Sequence, residues 1–293
     1  MLVSLVIRTL NEARHLSALL EATAKQVTPG FAVEVVLVDS GSTDATLEIA
    51  AQHGARIVTI EKEDFTFGRS LNVGCAAARG EILVFVSGHC IPCDSHWLDE
   101  LTRPIRDGVA SYTYGRQVGN EASKFSECQL FRKYFPEVSK IPQKDFFINN
   151  ANSALSKSIW EAHRFDEALT GLEDMDLGKR LVAVGQKVGY CAEASVYHLH
   201  DESWRQVKRR YEREAIALQK ILPEVHLSFA DFLRFFVSSV LLDAGAALQE
   251  RKLHRVLVEI VLFRLMQFWG SYRGNQMHRV LSREMKYRYF YPK

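Results

Sequence analysis

No apolar run in this chain is both long enough and free enough of charge to span a bilayer, which excludes a membrane-spanning helix. No signal peptide is expected, because Met1 leads straight into Leu2-Val3-Ser4-Leu5-Val6-Ile7, a strand-like stretch. Cysteine is sparse: five residues, an odd number scattered along 293, read as reduced thiols in a cytoplasmic protein rather than a disulfide scaffold. Neither sign of charge dominates. With 37 basic against 35 acidic residues and a net charge of +2, no nucleic acid or other highly charged partner is implied. There is no internal repeat, low-complexity tract or glycine-serine linker. The glycine fingerprint of dinucleotide binders is missing after the first strand, so nothing points to NAD.

What is present suits a large globular core. The chain is 47% hydrophobic and 25% charged, enough for one large domain or two smaller ones. Its organising stretch is Val35-Val36-Leu37-Val38-Asp39-Ser40-Gly41-Ser42-Thr43-Asp44. Four apolar residues read as a strand buried on both faces. They end in an acid, and Ser42, Thr43 or Asp44 can cap a helix beginning near Ala45. Ligands of open parallel sheets bind beyond the carboxyl ends of the strands, which puts Asp39 at the lip of a crevice.

The same arrangement recurs. Leu5-Val6-Ile7 precedes Arg8-Thr9-Leu10-Asn11-Glu12, with Asn11 expected as an N-cap. Arg56 to Ile60 precedes Phe67-Gly68-Arg69-Ser70-Leu71-Asn72, and Ile82 to Val86 precedes Ser87-Gly88-His89-Cys90. Strand–helix alternation predicts a parallel sheet over this part. Beyond about residue 110 the pattern changes. Ala110 to Gln117 reads as a strand, Phe125 to Phe135 as an aromatic helix or lid, and Phe146 to Asn152 as a short strand of clustered amides. Glu173 opens a helix, Val188 to Tyr190 and Ala194 to His198 read as two short strands, and Trp204 to Ile221 as a charged helix.

Some chemistry follows from residue type alone. Arg69 and Asn72 begin a helix, where free backbone N–H groups and the dipole favour anions. Glu173 and Asp174 are adjacent acids at a helix N-terminus, held as anions by the same dipole. Neighbours on a helix point about 100° apart, so only one of the two aims squarely at a substrate. Cys90-Ile91-Pro92-Cys93 has the spacing of a redox dithiol, but no thioredoxin-like pattern surrounds it and no second cysteine pair completes a zinc site.

Four motifs stand together in one order: Thr9-Leu10-Asn11-Glu12, Val38 to Asp44, Gly68-Arg69-Ser70-Leu71-Asn72 and Glu173-Asp174-Met175-Asp176. In this the chain resembles family 2 glycosyltransferases. It is most similar to bacterial rhamnosyltransferases of surface polysaccharide assembly, through Asp64 to Arg69, Tyr114 to Gln117 and Gln206 to Tyr211. The resemblance covers residues 3 to 220 well and the tail loosely. It implies the GT-A fold, an α/β class with a mostly parallel nucleotide-binding sheet flanked by helices. The expected division is a catalytic domain 1–222, with a nucleotide-sugar half 1–109 and an acceptor half 110–222, and a helical extension 223–293.

The resemblance implies inverting transfer of a sugar, such as rhamnose from dTDP-rhamnose, onto a surface glycan or lipid-linked glycan acceptor. A UDP-hexose transferase of the same fold, or a non-catalytic nucleotide- or glycan-binding relative, stays open. Asp39 would accept the imide N–H of a pyrimidine base. Thr9, Asn11, Glu12 and Ser40 would lie about the base and ribose, with Arg69 and Asn72 near the phosphates. Asp174 would be the general base and Glu173 its support. Where the family usually has Asp-x-Asp, this chain has Ser87-Gly88-His89, a departure that puts its divalent cation (Mn²⁺ or Mg²⁺) in doubt. His89 and His198 are then the candidate metal ligands, and Arg209 and Arg210 candidate partners of the leaving diphosphate. The Gln-x-x-Arg-Trp motif of processive members is here Gln206 to Tyr211, without tryptophan.

The tail alternates apolar residues with Arg and Lys at helical spacing, and Arg279 to Lys293 is basic and tyrosine-rich. Such helices either lie on an anionic membrane surface or pack on the catalytic domain or on a second subunit of a homodimer.

Overall fold

The computed structural model describes residues 1–276 and 283–291, so the basic stretch from 279 to 293 lies partly outside the described residues. Two compact units result. The first comprises 1–120, 134–168 and 173–199; the second comprises 121–133, 169–172 and 200–293.

The first unit is an α/β layer structure. Its strands are β1 (Leu2–Thr9), β2 (Ala32–Asp39), β3 (Arg56–Thr59), β4 (Ile82–Ser87), β5 (Cys90–Pro92), β6 (Tyr112–Val118), β7 (Asn152–Ser156) and β8 (Val188–His198). Between them run helices α1 (Ala13–Ala24), α2 (Thr46–Gln52), α3 (Phe67–Ala77) and α4 (Trp97–Arg106). All eight strands form one sheet in the order β3-β2-β1-β4-β7-β6-β8-β5. The half β3-β2-β1-β4 is parallel, as the alternation predicts. The other half is mixed: β7 runs antiparallel to β4 and β6, and β5 antiparallel to β8. Leu5, Ile7, Leu37 and Val84 are fully buried beneath Leu16, Leu19, Trp97 and Leu101, so apolar runs with no polar alternation lie covered by helices.

Three local expectations are corrected. Asn11 does not cap α1: it takes φ +58° and its side chain turns to Thr43, while Glu12 occupies the cap position. The amide-rich stretch before Asn152 is irregular, because its N–H groups find side chains instead of a strand. Phe147 N donates to Asp145, Asn150 N to Asp174 and Ala151 N to Asn149. Finally, the two short strands at Val188 and Ala194 are one strand of 11 residues, paired with β6 across an irregularity between Gly115 and Gln117. A Cβ on Gly115 would sit 2.1 Å from the Ala194 carbonyl oxygen, so only glycine fits there.

The second unit is helical: α5 (Phe125–Tyr134, whose last residue belongs to the first unit), α8 (Trp204–Ile221), α9 (Phe229–Gln249), α10 (Leu253–Asn275) and α11 (Arg283–Phe290). The helices α6 (Lys157–Ala162) and α7 (Glu173–Ala183) belong to the first unit. Helices α9 and α10 form an antiparallel hairpin, with Phe229 against Tyr272 and Phe232 against Trp269. Between them Asp243 takes a two-pronged pair from Arg264 at 2.7 and 2.8 Å, and a bond from Ser126 at 2.6 Å. Gly270 and Gly274 let α10 lie on α8: a Cβ at either would stand 2.4 Å from the Lys208 carbonyl oxygen or 2.2 Å from that of Glu212.

Candidate active site

The exit of β1 is the hub of the site in the first unit. Parallel pairing brings Thr9 level with Asp39 of β2, and Arg8 level with Ser87 of β4. Side chains of this short segment then link it to three other parts of the chain.

Thr9 serves the nucleotide side. Its hydroxyl donates to Asp39 Oδ1 at 3.1 Å. Asp39 is 1% exposed, and its carboxylate also accepts from the Gly41 and Ser42 N–H groups at 2.8 Å each and from the Ser42 hydroxyl at 2.5 Å. Ser40 donates to the Thr9 carbonyl from both its N–H and its hydroxyl. Asn11 Oδ1 accepts from Thr43 N at 2.8 Å, and Asn11 N donates to Ser42 Oγ. The loop after β2 is thereby sewn to the loop after β1.

Glu12 leads to the imidazoles. Its Oε1 lies 2.9 Å from His89 Nδ1. Gly88 makes room, since a Cβ there would meet Glu12 Cγ at 2.8 Å. His198 stacks on His89 with ring centroids 5.1 Å apart, and its Nδ1 lies 2.6 Å from Gln117 Oε1. The Gln117 amide nitrogen donates to Asn149, so its oxygen accepts from Nδ1–H. In both rings the outer partner fixes the tautomer that presents Nε2, the usual outer arrangement of a metal-binding histidine. Ring nitrogens of the two come within 4.8 Å of each other. Two imidazole donors suit Mn²⁺ better than Mg²⁺, so the residues present fit such an ion.

Arg8 reaches α7. Its guanidinium sits 2.9 Å from Glu173 Oε1 and over the Phe67 ring at 5.1 Å. Next to Glu173, Asp174 is buried, accepting from Asn150 N at 2.7 Å and from Met175 N at 2.8 Å. Burial, and then the neighbouring Glu173 carboxylate, push its pKa up to about 7. Asn150 is itself fixed, its Oδ1 accepting from Tyr112 at 2.5 Å and Ser153 at 2.6 Å. That leaves Asn150 Nδ2 as a buried donor with no partner among the described residues.

Other expected site residues stand elsewhere. Asn72 is spent on structure: its amide donates to the Phe165 carbonyl and Glu167, and its oxygen accepts from Trp160 and Phe165 N. It locks α3 to the segment after α6. Arg69 is half exposed, 3.9 Å from Glu167, a pair worth little on its own. Arg209 and Arg210 lie on α8 in the second unit. There Arg210 is committed to Glu202 at 2.8 Å and Glu127 at 3.0 Å, which answers its charge within that unit. Cys90 and Cys93 are free thiols whose pKa values burial pushes up, the reverse of a redox-active pair. Arg8 and Asn150 are the functional candidates that sequence reasoning missed.

Comparison with known proteins identifies the family and the fold. Residues 4–164, more than half the chain, match Glycosyl transferase family 2. Over 189 residues, 61% of this chain and 60% of the relative, the sequence is 29% identical to the O-antigen chain rhamnosyltransferase WbaN of Salmonella anatum. Over 223 residues, 72% of this chain and 70% of the relative, it is 27% identical to the O-antigen chain rhamnosyltransferase RfbN of Salmonella typhimurium. The first of these matches thus spans less than two thirds of the relative's length. A mannosyltransferase from Pyrobaculum calidifontis, solved in complex with GDP-Man and Mn²⁺, superposes with a TM-score of 0.63 at 14% identity, covering 92% of this chain and 85% of that one. The mostly parallel sheet with its flanking helices is the GT-A fold, and the chain belongs to glycosyl transferase family 2.

Proposed function

We propose that this protein is an inverting glycosyltransferase that moves rhamnose from dTDP-rhamnose onto a hydroxyl of a growing bacterial surface polysaccharide or lipid-linked oligosaccharide. The observation that carries the reading is Asp174, a buried carboxylate poised near neutrality and aligned by two backbone N–H groups. Family membership and the two rhamnosyltransferase relatives supply the substrate class.

In this reading Asp174, as the anion, takes the proton of the acceptor hydroxyl while that oxygen bonds to the anomeric carbon. The bond from that carbon to the diphosphate oxygen breaks on the opposite face, and the nucleotide leaves with the electron pair. A base with a pKa near the working pH combines a useful ionised fraction with real proton affinity. Glu173 stays tied to Arg8, so the site holds one uncompensated acid rather than two. Asn150 Nδ2 donates to a substrate oxygen beside the base. Asp39 takes the imide N–H of thymine once the Ser42 hydroxyl turns away. His89 and His198 would hold the divalent cation, which when bound supplies positive charge to the diphosphate.

The test is Asp174→Asn. It abolishes sugar transfer while calorimetric affinity for dTDP-rhamnose stays within about threefold, since the lost group contacts the acceptor rather than the nucleotide. Turnover equal to wild type would refute the base assignment. Consumption of a UDP-hexose in place of dTDP-rhamnose would overturn the sugar and leave the base standing.

A further inference from the structure

The hairpin of α9 and α10 in the second unit leaves an apolar side uncovered. Leu233, Val237, Leu241, Gly245 and Leu248 follow one another at spacings of three and four residues along the open side of α9, which is one helical face. Leu241 is 67% exposed, Leu242 beside it 74%, Leu248 64%, and Val258 at the start of α10 71%. Leu241 and Leu248 lie on that stripe and Leu242 points about 100° to its side, so the apolar exposure runs around the open half of α9 and marks an interaction surface.

The charges around this face are mostly basic. Arg234, Arg251, Lys252 and Arg255 are exposed on and beside it. The acids of the hairpin are already engaged. Asp231 closes the capping box with Ser228, Asp243 is buried on Arg264, Glu250 is shared by Arg132 and Lys252, and Glu259 accepts from Phe125 N. A second copy packed face to face would set Arg234, Arg251 and Arg255 against themselves, with only Asp231 at the surface of the hairpin and Glu250 already shared by Arg132 and Lys252. Among the described residues no helix is long and apolar enough to cross a membrane.

We infer that the α9–α10 hairpin is a docking surface for an anionic lipid bilayer. Leu241, Leu242, Leu248 and Val258 enter the boundary between headgroups and acyl chains, and Arg234, Arg251 and Arg255 meet lipid phosphates. The surface holds the protein on one face of the membrane without spanning it. The inference stands apart from the proposed reaction, because it needs neither donor nor acceptor.

The experiment is flotation of the full chain, without substrates, with vesicles of phosphatidylcholine alone or mixed with phosphatidylglycerol, alongside sedimentation velocity for oligomeric state. A monomer that floats with the anionic vesicles, and far less in about 1 M salt, is the expected result. The double variant Leu241→Gln/Leu242→Gln changes only exposed side chains, so the fold is kept. It weakens vesicle partitioning by roughly tenfold or more, and Arg234→Gln/Arg255→Gln does so by a similar factor. No flotation, flotation unchanged by both variants, or a dimer that the leucine variant splits would each overturn the inference, the last assigning the face to a second copy.

Discussion

Arg8 offers the sharpest test of how the catalytic acid is tuned. Asp174 at about 7 is half ionised at neutral pH. If that anion is the working base, the rate climbs by roughly tenfold between about pH 6 and pH 8. Arg8 lies 2.9 Å from Glu173 and pulls the Asp174 pKa down from where burial would otherwise put it. An opposite charge within a few ångströms is worth about 1–3 pH units. The Arg8 side chain is 20% exposed, so solvent screening selects the lower end. Arg8→Met is therefore expected to move the rising limb of kcat/KM upward, by at most about one unit because Arg8 pairs with Glu173 rather than with Asp174 itself. At about pH 7 the rate would fall by up to roughly fivefold, and by about pH 9 most of it would return. Arg8→Lys keeps the charge and should hold the limb within a few tenths of a unit. The assay is the initial rate of nucleotide release across that range, with a thermal melt at each pH to confirm the fold. A Met variant whose rate drops by one factor at every pH, its midpoint unmoved, would show that Arg8 binds substrate and does not tune Asp174.

Two further outcomes check the other parts. Asp243→Ala leaves Arg264 buried without its carboxylate, and breaking such a pair costs about 3–5 kcal/mol; a loss of urea unfolding free energy under about 1 kcal/mol would contradict the burial of that pair. Mn²⁺ added with dTDP should raise the melting temperature beyond dTDP alone, and His198→Ala should erase that increment while keeping the nucleotide's own. A Mn²⁺ increment that survives would remove His198 as a ligand.

The parallel half of the sheet was legible in the chain because β1, β2 and β4 each hold an apolar run at their centre and strands alternate with helical stretches. The mixed half was not. Strand β7 is only Asn-Ser-Ala-Leu-Ser, and its partners lie tens of residues away in β4 and β6, so no local pattern announces it. The acids Asp39, Glu173 and Asp174 could be picked by type and by their place at strand and helix ends. Arg8 could not, because it looks like any strand-end cation until folding brings Glu173 to it across 165 positions. Asn72 erred the other way: its place at the start of a helix suggested an anion site, while its amide is consumed by Trp160, Phe165 and Glu167. Asn150 hides among clustered amides whose separate duties only packing reveals.

The glycines of α10 carry a mechanical consequence. Where two backbones touch at Gly270 and Gly274, neither helix can slide by a turn without driving carbonyl oxygens into a neighbouring main chain. Helices α8 and α10 therefore move as a single beam.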